Sequence, residues 1–282
     1  MSERQPVILI GMHRSGTSMV TRLLEELGLF VGWRKQPDHE ALFFLRLNQW
    51  LLGQCGGGWD HPQPISDLLS HRAARALAID YLDVTLRSPR SISFLGSRYP
   101  RARMPHLPFA WGFKDPRSTF TLPIWLDLFP KAKVVHIYRH AVDVASSLQR
   151  RQESFLVQRR ARYKRLRFTY WLRSKQVGFT DGMGCASLEN GIALWEAYAH
   201  EGRAHVRGRG ELGIELKYED FLADTARGLE QLAAFCGLDV TRARCEQIAG
   251  AVRSDRAYAY RSKPELVALA EDHKEVLGAF GY

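Results

Sequence analysis

The stretch Val7-Ile8-Leu9-Ile10-Gly11-Met12-His13-Arg14-Ser15-Gly16-Thr17-Ser18 decides the fold class. Its first four residues form a short aliphatic, largely β-branched run bounded by Pro6 and Gly11, which predicts a buried strand. From Gly16 the period changes: Met19, Val20, Leu23, Leu24 and Leu27 recur at helical intervals until Gly28 stops them. Strand and helix are joined by Gly11-x4-Gly16 followed by two hydroxyl residues, the spacing of a phosphate-cradling loop. Glycines let the backbone turn tightly, several N–H groups converge, and the helix dipole favours an anion there.

One position departs from that frame. Thr17 stands where a nucleoside triphosphatase carries its lysine, the residue that neutralises β and γ phosphates. Without it a magnesium triphosphate is poorly served. Arg14 supplies a cation from another side and suits a smaller group such as a phosphosulfate. The competing reading of the same residues is a glycine-containing turn with a Ser/Thr helix cap.

Working outward, helices are predicted over Glu40 to Leu52 and Ser66 to about Leu86, then an irregular stretch holding Pro89, Pro100, Pro105 and Pro108. Trp111 to Lys114 reads as a strand, Ser118 to Phe129 as a helix despite Pro123, and Val134 to Tyr138 as the clearest strand of the chain. A helix from Ala141 to about Gln152 leads into a basic, helical segment. Leu188 to Val206 is a further helix and Leu212 to Lys217 a strand. Helices around Leu229 to Phe235, Arg242 to Val252 and Leu266 to Leu277 close the chain. Strands separated by helices predict an α/β fold, a P-loop-like parallel β-sheet flanked by helices. No repeat or linker divides the chain, so residues 1–282 are expected to form a single domain with a basic helical insertion at about 150–206.

Composition agrees with a globular protein: of 282 residues 45% are hydrophobic, 25% charged and 11% aromatic, which excludes disordered, collagenous and coiled-coil classes. Cys55, Cys185, Cys236 and Cys245 lie far apart and form no zinc-spaced motif, so neither a disulfide framework nor a metal site is expected, and a reducing compartment is. The polar start, Met1 to Pro6, is unlike a signal peptide, and no apolar run reaches the roughly 18 residues of a membrane span, so a soluble cytoplasmic protein is predicted. The net charge is +10, yet ten Lys/Arg and only Glu153 among acids fall between Arg150 and Lys175. The chain is nearly neutral apart from one cationic element, which attracts an anionic partner.

A second anchor follows the strand Val134 to Tyr138. Arg139 sits at a strand end, on the rim where open α/β sheets bind ligands, and Ser147 lies eight residues on, about two helical turns, so its hydroxyl can face the same rim. Taken together, Arg14-Ser15-Gly16-Thr17-Ser18 and Arg139…Asp143-Val144…Ser147 resemble the sulfotransferases that use 3′-phosphoadenylyl sulfate (PAPS). In that family a (K/R)-S-G-T-(S/T) loop holds the 5′-phosphosulfate and an R-x3-D-V-x2-S element the 3′-phosphate. Lys217-Tyr218-Glu219-Asp220-Phe221-Leu222 resembles the family's YED segment, whose tyrosine lies near the adenine, and Leu229…Phe235-Cys236-Gly237-Leu238 the helix after it. Trp111-Gly112-Phe113-Lys114-Asp115-Pro116-Arg117 is similar to a segment of the bacterial and carbohydrate-type members, and the likeness spans residues 7 to about 240. Two departures stand out. Ala141 replaces a familiar proline, and Lys114-Asp115-Pro116 occupies the place where cytosolic members carry the catalytic histidine.

The resemblance implies transfer of a sulfuryl group from PAPS to a hydroxyl, or an amine, of a glycan, glycolipid or small metabolite, leaving PAP, with no metal needed because the leaving group is already good. The donor residues would be Arg14, Ser15, Gly16, Thr17, Ser18, Arg139, Ser147 and Tyr218. Arg14 and the Gly16 to Ser18 amides would stabilise the departing charge, with Lys114 as a second cation. Three groups compete as general base: Glu40 at the start of the second helix, where carbohydrate-type relatives often place a glutamate; Asp115 at a strand end; and His39, which titrates near neutrality. Each has a bland reading, as a first-turn helix charge, a partner for Arg117 and a surface residue respectively.

The basic segment 150–175 interleaves its charges with Phe155, Tyr163, Leu166, Phe168, Tyr170 and Trp171. It reads as a solvated helix with its aromatic side on the core, as a lid collecting an acidic or sugar-containing acceptor, or as a peripheral membrane contact. Trp59-Asp60-His61-Pro62, after three glycines, could line the acceptor pocket. Two other functions compete. A P-loop kinase lacks its lysine and a convincing magnesium carboxylate here, and for a nucleic-acid binder the charge is confined to one element with no recognition motif beside it.

Overall fold

Four short segments become strands: β1 (Val7–Ile10), β2 (Gly112–Lys114), β3 (Lys133–Tyr138) and β4 (Gly213–Lys217). They form one all-parallel sheet in the order β2-β1-β3-β4, with Leu9 opposite Lys114, Ile10 opposite His136 and Tyr138 opposite Lys217. In such a sheet all carboxyl ends share one edge, and that edge is where ligands bind. β1 and β2 are wholly buried, and β1 reads accordingly as a continuous apolar run, whereas β4, at the edge, is half-buried throughout. The α/β fold with a parallel sheet flanked by helices is as the sequence predicts.

The computed structural model describes residues 4–169, 172, 182–253 and 256–282. They divide into two units, Met1–Arg139 with Tyr198–Ala257, and His140–Ala197 with Tyr258–Tyr282. The first unit holds the sheet. Helix α1 (Thr17–Glu26) lays Val20, Leu23 and Leu24 onto Val7 and Leu9 of β1 and Val135 and Ile137 of β3, joined by Leu229 and Leu232 from the helix Thr225–Cys236. Each such buried side chain contributes about 1.5–3 kcal/mol. A second, aromatic cluster is centred on Phe44 of helix α2 (Leu42–Gly53), stacked at 3.8 Å on Phe113 of β2 and edge-on to Phe94 and Trp125.

Some boundaries differ from expectation. The second helix starts at Leu42, so Glu40 precedes it rather than opening it. The third is two helices, Ile65–Ser70 and Arg72–Arg87, because His71 is extended and its Nδ1 accepts the Ala74 N–H, capping the second piece. The last is likewise split, into Pro264–Asp272 and Lys274–Gly278.

In the second unit the helix Ala141–Leu166 runs for 26 residues, so the basic segment continues the helix that follows β3. Asp143 ties the C-terminal segment to its first turn, accepting the Tyr260 N–H at 2.7 Å and the Ala259 N–H at 3.2 Å. His140 stacks on Tyr260 with ring centroids 4.1 Å apart. Of the aromatic side chains of the basic segment, Tyr163 and Phe168 are 41% and 73% exposed, and Phe155 is half-buried. Tyr170, Trp171 and residues 173–175 lie outside the described residues. No helix among the described residues is long and apolar enough to cross a membrane.

Pro123 sits inside the helix Ser118–Leu128 and has no N–H to offer the carbonyl four residues back, Thr119 O. His205 fills that vacancy, its Nε2 lying 2.9 Å from Thr119 O, while the Thr119 hydroxyl accepts the Gly11 N–H at 3.1 Å. The helix, the loop after β1 and the helix Leu188–Arg209 are thus joined through one threonine. His205→Ala is expected to destabilise the protein by about 1–3 kcal/mol in urea unfolding, and by clearly less in a Pro123→Ala background, where residue 123 regains its own donor. Equal losses in both backgrounds would refute this substitution of imidazole for amide.

Candidate functional site

The loop between β1 and α1 adopts the conformation its glycines permit. Gly11 and Gly16 have φ of 131° and 92°, and Arg14, between them, is also left-handed at 71°. A non-glycine residue held there costs of order 1–3 kcal/mol and turns its exposed guanidinium outward at the strand end. Gly16 caps α1 without any side-chain hydrogen bond, so the amides of the first helical turn keep their donors for another acceptor. Ser15 Oγ is buried and finds no hydrogen-bond partner among the described residues. A Cβ on Gly16 would overlap the Tyr218 ring. An unpaired buried hydroxyl, open helix-start amides and a backbone that must stay bare make a cradle fitted to an oxyanion.

Tyr218, the first residue after β4, lies over that glycine, and the guanidinium of Arg139, the first residue after β3, is 5.0 Å from the Tyr218 ring centroid. Arg139 also donates to the Arg256 carbonyl at 2.6 Å. The two motifs therefore meet: Gly16, Tyr218 and Arg139 are stacked in sequence at the carboxyl ends of β1, β4 and β3. Ser147 is half-buried on the helix Ala141–Leu166 of the second unit.

The end of β2 builds a second feature, a buried quartet of charges. Lys114 Nζ donates to Glu40 Oε1 at 3.1 Å and to Ser18 Oγ at 3.3 Å. Arg117 Nη1 is 3.0 Å from Asp115 Oδ1 and 3.4 Å from Glu40 Oε2, and the Arg117 amide also donates to Asp115 Oδ1 at 3.0 Å. Glu40 and Lys114 expose 2% and 1% of their surface, so solvent does little to screen them. Burial, then the Asp115 carboxylate, push the Glu40 carboxyl up to about 7 against the pull of Lys114 and Arg117. Burial works against the charge on Arg117, but Asp115 and Glu40 hold the guanidinium above its ordinary value.

Asn48, from α2, locks the quartet. Its Nδ2 donates to Asp115 Oδ2 and Ser118 Oγ, both at 2.9 Å, and its Oδ1 accepts from Thr121 Oγ1 at 2.7 Å and Trp125 Nε1 at 2.8 Å. Both donors and both acceptor sites of the amide are used, which fixes its orientation. Both Asp115 oxygens are therefore occupied, one by Arg117 and one by Asn48. Glu40 reaches the quartet because the chain reverses at Gln36–Glu40: the Gln36 N–H donates to Glu40 O, and His39 takes a left-handed φ of 63°. The His39 ring itself turns to α1, where its Nδ1 is 3.1 Å from Glu25 Oε2, beside the Lys35–Glu25 pair.

Trp59 borders the same region. Its carbonyl accepts the Tyr198 hydroxyl at 2.7 Å and its ring lies edge-on, 4.7 Å, from His13 of the loop. Burial raises the Tyr198 phenol, so it stays a donor at neutral pH. The sequence singled out the loop, Lys114, Asp115, Glu40, Arg139 and Tyr218, but not Asn48 or Arg117 as parts of one cluster. Asn48 carries little sequence signal, standing in a mostly apolar helix that also holds Arg46 and Gln49.

The sequence model of the Sulfotransferase family matches residues 6–242. No curated protein matches the chain. Among solved structures it is similar to the sulfotransferase domain from the curacin biosynthetic pathway, at 15% identity over 97% of this chain and 99% of that one, TM-score 0.51. It is also similar to the sulfotransferase domain of the Synechococcus PCC 7002 olefin synthase, at 18% identity over 100% and 96%, TM-score 0.50. A third is the sulfotransferase STF1 of Mycobacterium tuberculosis, at 14% identity over 89% and 72%, TM-score 0.50. At these identities the likeness is one of fold.

Asn48→Ala strips a partner from Asp115, Ser118, Thr121 and Trp125 at once. The expected cost is about 2–4 kcal/mol in urea unfolding, larger than for an exposed polar residue of α2 such as Gln49. A loss under about 1 kcal/mol would mean that the amide is not the lock described.

Proposed function

Because the chain belongs to the sulfotransferase family, whose model covers residues 6–242, we propose that it moves a sulfuryl group from PAPS to a hydroxyl of an acceptor. The observation that carries this reading is the grouping of Gly16, Tyr218 and Arg139, which brings a loop fitted to an oxyanion and a second cation to one aromatic ring. The loop amides, Ser15 and Ser18 bind the 5′ end of the donor, Arg139 takes the 3′-phosphate, and Tyr218 packs near the base of the nucleotide.

Glu40 is the general base in this reading. As a carboxylate it takes the proton of the acceptor hydroxyl on an oxygen, while Asp115, which accepts both the Arg117 amide and its guanidinium, holds Arg117 in place. Lys114 and Arg14 supply positive charge where the phosphate oxygen of the broken S–O bond becomes anionic. His39 is directed at Glu25 and has no part in the step. The half-buried Trp59, next to His13 and Tyr198, offers an apolar face with polar groups around it, which suits a sugar or another hydroxylated metabolite as acceptor.

Two measurements check this. PAP should raise the melting temperature without magnesium in both wild type and Glu40→Gln, whereas transfer from radiolabelled PAPS to a panel of glycans and hydroxylated metabolites should fall about 10²–10⁴-fold in the variant. Stabilisation by ATP with magnesium and none by PAP would overturn the donor assignment. Since the base must be ionised and its carboxyl sits at about 7, kcat/KM for the acceptor should rise with pH through the neutral range. A profile already flat from pH 5 would remove Glu40 from the role.

A further inference from the structure

Lys114 occupies an unusual position for a buried ammonium. Two neighbours accept from it, Glu40 Oε1 at 3.1 Å and Ser18 Oγ at 3.3 Å, one on each side. An ammonium carries three donors, and burial makes an unused one costly. One of its neighbours belongs to the proposed base and the other to the first turn of α1, where the loop is built to receive an oxyanion. We infer that Lys114 is a positioning residue that couples occupancy of the 11–18 loop to the basicity of Glu40. This rests on the donor reading given above.

The coupling follows from charge balance. With the loop free, Lys114 pairs with Glu40 and holds its carboxylate down. An anion seated beside Ser18 offers the third acceptor and draws on the same ammonium charge, so Glu40 loses part of its counter-ion and binds a proton more tightly. Arg117 remains a second cation on Glu40, at 3.4 Å against 3.0 Å to Asp115, so the loss of counter-charge is partial, while the carboxylates of Asp115 and of Asp38 in its own turn push the Glu40 carboxyl up further. The consequence for the reaction is order: Glu40 is a strong base only once the donor is in place, and stays paired and weak when it is not. Linkage makes the effect reciprocal, so donor-site binding takes up a proton and tightens as pH falls toward 6.

The test uses PAP binding and needs no turnover. Isothermal titration of the full chain with PAP at pH 7, in buffers of different ionisation enthalpy, reads the protons exchanged. The phosphates of PAP titrate too, so Glu40→Gln serves as the baseline. For a group half-protonated near pH 7, a tenfold gain in basicity means about 0.4 proton taken up beyond that baseline, and binding about fivefold tighter at pH 6 than at pH 8 after the same correction. Lys114→Met and the more conservative Lys114→Gln should both fall to the baseline. Uptake equal in wild type and Glu40→Gln overturns the coupling, as does uptake that survives intact in Lys114→Gln. Absence of any PAP binding overturns the donor assignment instead, and with it the premise.

Discussion

Burying two carboxylates and two cations at the end of one strand is the constraint around which the first unit is arranged. Removing an ion from water costs several kcal/mol even after relaxation, and pair attraction recovers that only when every remaining donor and acceptor is filled. The quartet meets that condition by geometry. Its charges cancel, both Asp115 oxygens accept hydrogen bonds, from Arg117 and Asn48, and Asn48 is in turn saturated by Asp115, Thr121, Trp125 and Ser118. Apolar side chains of the same volume would be as stable or more so. The network therefore finds its reason in chemistry: it leaves one member, Glu40, less well paired than the rest and titrating near neutrality.

That asymmetry has a structural origin. Arg117 stands closer to Asp115 than to Glu40, 3.0 Å against 3.4 Å, because Asp115 also captures the Arg117 amide and so fixes the start of the helix Ser118–Leu128. Glu40 arrives from a different segment, carried in by the reversal at His39. The same helix is tied to the loop after β1 through Thr119, which takes the Gly11 N–H on its hydroxyl and the His205 imidazole on its carbonyl. The oxyanion cradle and the charged quartet thus share one rigid support, and a proline inside that helix is tolerated because an imidazole stands in for the missing amide.

What could be read from the sequence was local. The run Val7 to Ile10, the change of period at Gly16 and the spacing of the glycines were enough for strand, loop and helix, since each is set by residues within a few positions of one another. The carboxyl-end placement of Lys114, Arg139 and Tyr218 followed from the strand pattern and the parallel sheet. Tertiary relations were not legible. Nothing near Glu40 signals that a left-handed His39 lifts it out of the helix, and nothing near Asn48 signals four partners spread from Asp115 to Trp125. The break at His71 was hidden too, because a histidine cap interrupts an apolar period without glycine or proline. Asp143 matched a motif expected at a ligand site, yet its oxygens hold the amides of Ala259 and Tyr260.

The segment Lys114-Asp115-Pro116 shows why a departure from a family pattern is better read through its neighbours than alone. A histidine after Lys114 would place an imidazole at the strand end. Asp115 instead accepts from Arg117 on one oxygen and from Asn48 on the other, fully buried at the strand end. In the proposed reaction the proton-accepting role passes to a carboxylate from another part of the chain, reached through the same lysine that touches the loop. With a histidine base, titration would follow from the residue's own chemistry. With Glu40 it must be created by burial and by a counter-ion that can be drawn off, so the base and the donor loop answer to one ammonium group.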